Sequence, residues 1–133
     1  MSFEIMDSGP FSEPVHHALD QILLEQVEKG TRKPTLRFWY RDSPAVPMGR
    51  FQSYRDEVDH GYVSENGVQV VRRITGGGAM YVEPKKVITY SLYLPSDDVS
   101  ENFEKSYREL DSWVVNSLRD IGVDAEHQPL NDI

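Results

Sequence analysis

Residues 72–81, Arg-Arg-Ile-Thr-Gly-Gly-Gly-Ala-Met-Tyr, are the stretch whose composition most demands a chemical explanation. Three consecutive glycines cost backbone entropy that the end of a strand has no need to spend. They permit positive φ angles and let a ligand approach bare N–H groups, which is how a loop cradles a carboxylate or a phosphate. Arg72 and Arg73 add donors that keep their charge at any working pH. A flexible hairpin turn is the other reading of the same glycines. The segment is not a nucleotide loop of the G-x-x-x-x-G-K-[ST] kind, because no Gly-Lys-Ser/Thr follows. Nor is it a G-x-G-x-x-G element opening a helix, since a strand is expected next.

The remaining candidates are weaker. His16, His17, His60 and His127 show no metal-ligand spacing with partner carboxylates. The chain has no cysteine, so these residues supply no thiol nucleophile and no disulfide. Asp97, Asp98 and Glu101 suit a loop and helix start, where acids favour the positive end of the helix dipole. Trp39 and Trp113 read as core.

The elements that must position the loop follow from periodicity. Ser12 can cap a helix with Pro14 in its first turn, and Val15, Ala18, Leu19, Ile22, Leu23 and Val27 recur at helical spacing until Gly30. Leu36–Tyr40 is β-prone, and a Ser43-Pro44 turn separates it from a second strand near Val46–Met48. A short helix is expected over Asp56–Glu65, then a buried strand over Val68–Arg73 that runs into the glycines. After them come Ala79–Val82, a turn around Pro84-Lys85-Lys86, and a strand over Val87–Leu94. One long helix carries Phe103, Tyr107, Leu110, Val114 and Leu118 on one face, Gly122 ends it, and a short strand follows near Val123–Glu126. This order argues for an α/β (α+β) fold in which helices cover a mixed, largely antiparallel sheet.

With 133 residues and no linker or repeat, a single domain over 1–133 is the expectation. No apolar run approaches bilayer length and the first residues lack a signal-peptide pattern, so a cytoplasmic protein that is not in a membrane is expected. The net charge of −8 argues against nucleic acid. That charge is uneven: residues 31–95 carry 10 bases and 6 acids, whereas 1–30 carry 6 acids and 1 base, and 96–133 carry 10 acids and 3 bases. A basic middle suits a small anionic ligand.

Arg-Arg-x-x-Gly-Gly-Gly-Ala followed by Met80-Tyr81 resembles the ligand loop of lipoate–protein ligases and related octanoyltransferases. The likeness continues in His17-Ala18-Leu19-Asp20, in Pro34–Trp39, in the Gly-x-x-Gln turn of Met48-Gly49-Arg50-Phe51-Gln52, in Thr89-Tyr90-Ser91 and in Pro129-Leu130-Asn131-Asp132-Ile133. On these motifs the chain resembles the N-terminal half of the lipoate–protein ligase A family, with its biotin/lipoate ligase-like fold. The resemblance implies ATP-dependent activation of lipoate or octanoate to an acyl-adenylate, with Mg2+. Transfer to a lysine of a lipoyl carrier domain follows. The carriers it implies are lipoyl domains of 2-oxoacid dehydrogenase complexes or the glycine cleavage H protein. It further implies that Arg73 and the backbone of Gly77, Gly78 and Ala79, in one loop with Gly76, hold the carboxylate and α-phosphate. Met80 and Tyr81 would flank the adenylate, Arg72 and Arg50 would add charge, and Val46–Met48 with Val68–Val70 would line the acyl tunnel.

Three departures qualify the match. Val82 stands where many members have histidine, and Lys85-Lys86 where they have Gly-Asn. The family's catalytic lysine lies in a Gly-Lys-Ile/Val-x-Gly segment past Asn-Asp, hence beyond Ile133, to be supplied by a further segment or a second polypeptide. An octanoyltransferase working through a cysteine, a non-catalytic lipoate- or lipoyl-domain-binding module, and a biotin-ligase-like domain are the competing readings.

Overall fold

The structure, a computed structural model, describes residues 2–129 and 132–133. It forms two compact units, residues 1–95 and 96–133.

In the first unit, β1 (Glu4–Phe11) leads into α1 (Glu13–Glu28), and β2 (Thr35–Arg41) and β3 (Ala45–Met48) follow. Two short helices, α2 (Tyr54–Glu57) and α3 (His60–Glu65), precede β4 (Gln69–Arg72) and β5 (Thr89–Tyr93). β1, β2 and β5 make one sheet in that order, while β3 and β4 pair in a second. Leu23 and Val27 of α1 bury their side chains against Tyr93 of β5, with Met6 and Leu19 packed alongside. This is the apolar stripe that the helical spacing announced.

Several expectations need correction. The mixed α/β class holds, but the strands are not largely antiparallel: among the described strand pairs, β1–β2 and β3–β4 are parallel and β2–β5 is antiparallel. The hairpin reading failed because helices, not turns, join the paired strands: α1 bridges β1 to β2, and α2 and α3 bridge β3 to β4. Ser12 is the N-cap residue, yet its side chain makes no capping hydrogen bond. The Glu13 N–H at that end donates instead to Gln69 Oε1 at 2.8 Å. The helix expected over 56–65 is two, because Asp59 starts a new one by accepting from the Tyr62 N–H at 2.9 Å. Residues 79–82 form no continuous strand; Val82 alone bridges to Ala45. The last strand of this unit is limited to Thr89–Tyr93.

The second unit has a 3-10 turn at Ser96–Asp98, then α4 (Phe103–Leu110) and α5 (Ser112–Asp120). The single long helix expected there is broken at Asp111, which closes α4 and opens α5. Gly122 ends α5 with φ +88°. Residues 123–126 are not a strand. Their backbone groups serve the helix end instead: the Val123 N–H donates to Leu118 O and Arg119 donates to Ala125 O. Leu130 and Asn131 of the Asn-Asp motif lie outside the described residues.

Candidate functional site

The glycine loop is held by its carbonyls. The Arg50 N–H donates to Thr75 O at 2.9 Å, and the Arg73 guanidinium donates to Gly76 O at 2.7 Å and to Gly78 O at 3.1 Å. No backbone N–H from Ile74 to Tyr81 donates to a protein acceptor among the described residues. A loop whose carbonyls are tied to the protein and whose N–H groups have no protein acceptor keeps donors available for an anion. Gly77 adopts φ +95°, a conformation that only glycine takes without strain. Gly49 makes the closest approach. A Cβ there would lie 1.9 Å from the Gly77 carbonyl oxygen. Gln52 fixes this turn by accepting from the Gly49 N–H at 2.8 Å.

Strand alternation sends the two arginines to different places. Arg72 donates to the carbonyls of Gly49, Arg50 and Gln52, so it clamps the Gly-x-x-Gln turn. It also lines a cavity of about 490 Å³ with Met48, Val68 and Val70, residues expected at the acyl tunnel. Arg73 lines a different cavity, of about 440 Å³, together with Pro47, Met80 and Val82. Tyr81 does not line it; its ring meets Tyr62 edge-on at 6.4 Å. The Arg50 guanidinium lies 5.9 Å from the Phe51 ring centroid. Lys85 has φ +63°, a left-handed conformation that favours glycine, and Lys86 pairs with Glu83.

The other wall of the 440 Å³ cavity is built largely from segments that carry the family resemblance but were given no site role from sequence. His17 and Asp20 of α1, Trp39 and Arg41 of β2, and Thr89 and Ser91 of β5 all face it. Behind them lies a buried charge network. Glu13, wholly buried, pairs with Arg41 at 2.6 Å and with His17 at 3.0 Å. Arg37, also wholly buried, donates to Asp20 Oδ1 at 2.9 Å and to His16 Nδ1 at 2.5 Å. The Tyr93 hydroxyl donates to Asp20 as well; burial and that carboxylate push its pKa up to about 12, so it keeps its proton. One signal was available: Thr35, Arg37, Trp39 and Arg41 alternate along a strand whose inward face is buried.

This network makes the fold acid-sensitive. Burial lowers the His16 pKa below the ordinary 6.5, reinforced by Arg37 and opposed by the Tyr40 carbonyl. Burial raises that of Glu13, but hydrogen bonds from His17 and Arg41 together outweigh it and leave the pKa below 4.5. In both cases the unfolded chain takes up the proton more readily. The stability is therefore present above the unfolded pKa and lost as pH falls through the folded one. Thermal melts should hold steady above about pH 7, decline below roughly 6.5 and decline again below about 4.5. His16→Gln should remove the upper step. A melting temperature that is flat between about pH 7.5 and 5.5 in the wild type would contradict this account.

Arg73 and Met80, which flank a glycine loop whose N–H groups have no protein acceptor among the described residues, thus line a mostly apolar cavity in the first unit. The profile of the lipoyl protein ligase A/B catalytic domain matches residues 14–133. The chain belongs to the lipoyl protein ligase A/B catalytic-domain family. Among curated relatives it is 39% identical over 116 residues to lipoate-protein ligase A subunit 1 of Thermoplasma acidophilum, covering 87% of this chain and 42% of the relative. It is 38% identical over 111 residues to octanoyltransferase LipM of an Exiguobacterium species, covering 82% of this chain and 40% of the relative. Among solved structures, a lipoate-protein ligase A bound with ATP superposes with a TM-score of 0.84 at 33% identity, over all of this chain and 52% of that one. A bipartite lipoate protein ligase from Thermoplasma acidophilum, described with its E2 lipoyl domain, gives 0.84 at 31% identity, over 98% of this chain and 49% of that one. The chain spans about half the length of the family members it matches. Among its described residues no helix is long and apolar enough to cross a membrane, and no cluster of three or more His, Cys, Asp or Glu is placed to hold a metal.

Proposed function

We propose that this chain binds lipoate or octanoate and ATP, and takes part in acyl-adenylate formation and acyl transfer to a lysine of a lipoyl carrier domain. The observation that carries this reading is the loop that follows Arg73: its carbonyls accept from Arg50 and Arg73, its N–H groups have no protein acceptor among the described residues, and Arg73 and Met80 at its two ends line a largely apolar cavity. A carboxylate oxygen of the acid attacks the α-phosphorus as the bond to pyrophosphate breaks. The acceptor amine then attacks the acyl carbonyl and AMP leaves. Both steps concentrate negative charge where fixed N–H dipoles and a cation stabilise it. Gly76 to Ala79 supply the dipoles and Arg73 the cation, while Met80 and the apolar wall take the acyl chain. With no carboxylate cluster among the described residues, magnesium would enter on the nucleotide phosphates, the usual habit of this ion.

The two compact units act in this reading as parts of one cytoplasmic catalytic domain, since the family profile runs through both. The family's lysine segment would come from further chain or a second polypeptide, and the bipartite neighbour makes the second arrangement a concrete precedent. The similarity to LipM favours one alternative, an octanoyl transfer that needs no ATP. Omitting ATP from an assay with an apo lipoyl domain and following the acceptor's mass separates the two.

Gly78 provides the test of the cradle itself. An alanine there meets nothing within 4 Å, and the position does not require positive φ, so the fold should not register it. Gly78→Ala should keep its melting temperature within about 1 °C, yet bind a non-hydrolysable lipoyl-adenylate mimic at least tenfold more weakly, about 1.4 kcal/mol. Unchanged affinity in calorimetric titration would mean that the loop's outer face is not where the anion sits.

A further inference from the structure

Asp20 stands out on the cavity wall once its hydrogen bonds are assigned to atoms. Arg37 donates to Oδ1 at 2.9 Å, Ser91 donates to Oδ1 at 2.9 Å, and the Tyr93 hydroxyl also donates to Oδ1. Oδ2 receives no donor among the described residues, although the side chain is only 24% exposed and lines the cavity. One turn earlier, His17 engages Glu13 through Nε2 and leaves Nδ1 without an assigned partner on the same wall. The rest of that wall and the opposite one are largely apolar, with Trp39, Pro47, Val82, Val87 and Ile88.

A saturated alkyl tail drawn into this cavity would strip water from a carboxylate oxygen and give it nothing in return, which is unfavourable. A tail that carries donors would replace that water. Asp20 is held in place by Arg37, which is wholly buried and has no other carboxylate partner among the described residues.

Resting on the reading of this cavity as an acyl site, we propose that Asp20, with His17 beside it, is a specificity-determining position that favours an acyl tail bearing protic groups, the reduced dithiol form of lipoate, over a plain octanoyl chain. A thiol is a weak donor, so the discrimination is modest in size. The cyclic disulfide has no donor and ranks with octanoate. A site built around a hydrogen-bond acceptor rejects the analogue that cannot donate to it.

The test is calorimetric titration of three acids into the full chain: dihydrolipoate held reduced, lipoate and octanoate. Dihydrolipoate should bind about tenfold more tightly than the other two. Asp20→Asn keeps an oxygen for the three donors and replaces Oδ2 by an amide that cannot accept. It should bring the three affinities within about twofold of one another, with a lower melting temperature because buried Arg37 loses its carboxylate. His17→Leu leaves the Arg37 contacts intact and should strengthen octanoate binding severalfold, which keeps the proposal testable if the asparagine variant folds poorly. Equal binding of all three acids by the wild type would overturn the proposal, as would an unchanged ratio in a folded Asp20→Asn. Binding of none of them would overturn the acyl-site reading and this proposal with it.

Discussion

Gly49→Ala should abolish adenylate binding and lower the melting temperature by on the order of 5–15 °C. The added Cβ would stand 1.9 Å from the Gly77 carbonyl oxygen, 2.9 Å from its carbon and 3.2 Å from its nitrogen. All three are backbone atoms, so no side chain can swing aside. Relief requires the glycine loop and the turn to separate by more than 1 Å, a crude distance at which positioning losses reach about a hundredfold. The Arg50 N–H to Thr75 O and Arg73 N–H to Met48 O bonds join those same segments and would stretch with them. Differential scanning fluorimetry and titration of the lipoyl-adenylate mimic read the two effects separately. Affinity within threefold of wild type would show that the loop does not need this contact. Gly78→Ala is the matched control, with an alanine added to the same loop in open space.

Arg73→Ala should reduce ATP–pyrophosphate exchange, measured with the family's remaining length supplied, by about a hundredfold or more. Loss of one charged hydrogen-bonding partner costs roughly 1.5–3 kcal/mol, and more when an anion is left desolvated and unpaired. Sequence alone suggests a loop-end arginine of little consequence to the fold. The structure assigns it a second task, because its guanidinium holds the carbonyls of Pro47, Gly76 and Gly78. A modest drop in melting temperature should therefore accompany the loss of activity. Arg73→Lys should recover the fold better than the chemistry, since one ammonium cannot span three carbonyls and also meet a phosphate. Exchange within twofold of wild type for Arg73→Ala would remove it from the site.

What could be read from sequence was whatever is local. α1 announced itself through helical spacing and Pro14, and β2 through its aromatic, β-prone run. β1 escaped notice because Ser8-Gly9-Pro10 reads as a turn, and the ladder absorbs it as a register shift between Ser8 and Phe11. Its place at the edge of its sheet makes a proline tolerable. The break at Asp111 was masked because the apolar spacing from Phe103 to Leu118 passes through it without a gap. In the candidate site, the arginine–glycine run stood out by composition, whereas the partners of its carbonyls did not, since these depend on where Arg50 and Arg73 send their donors. The wall opposite was harder still. Asp20 and Ser91 lie 71 residues apart and meet only through the packing of α1 on β5. No spacing rule reaches that far.

The cavity is bounded by strands of two separate sheets, and among the described residues no ladder of backbone hydrogen bonds joins those sheets. One link between those sheets is the first turn of α1: the Glu13 N–H donates to Gln69 of β4, and its carboxylate grips Arg41 of β2. The two sheets are thus joined there by two contacts at a single residue rather than by strand pairing. Side-chain contacts can be lengthened one at a time, whereas a ladder yields only as a unit. Glu13 thus joins the two sheets at one helix end, where neither ladder of backbone hydrogen bonds takes part.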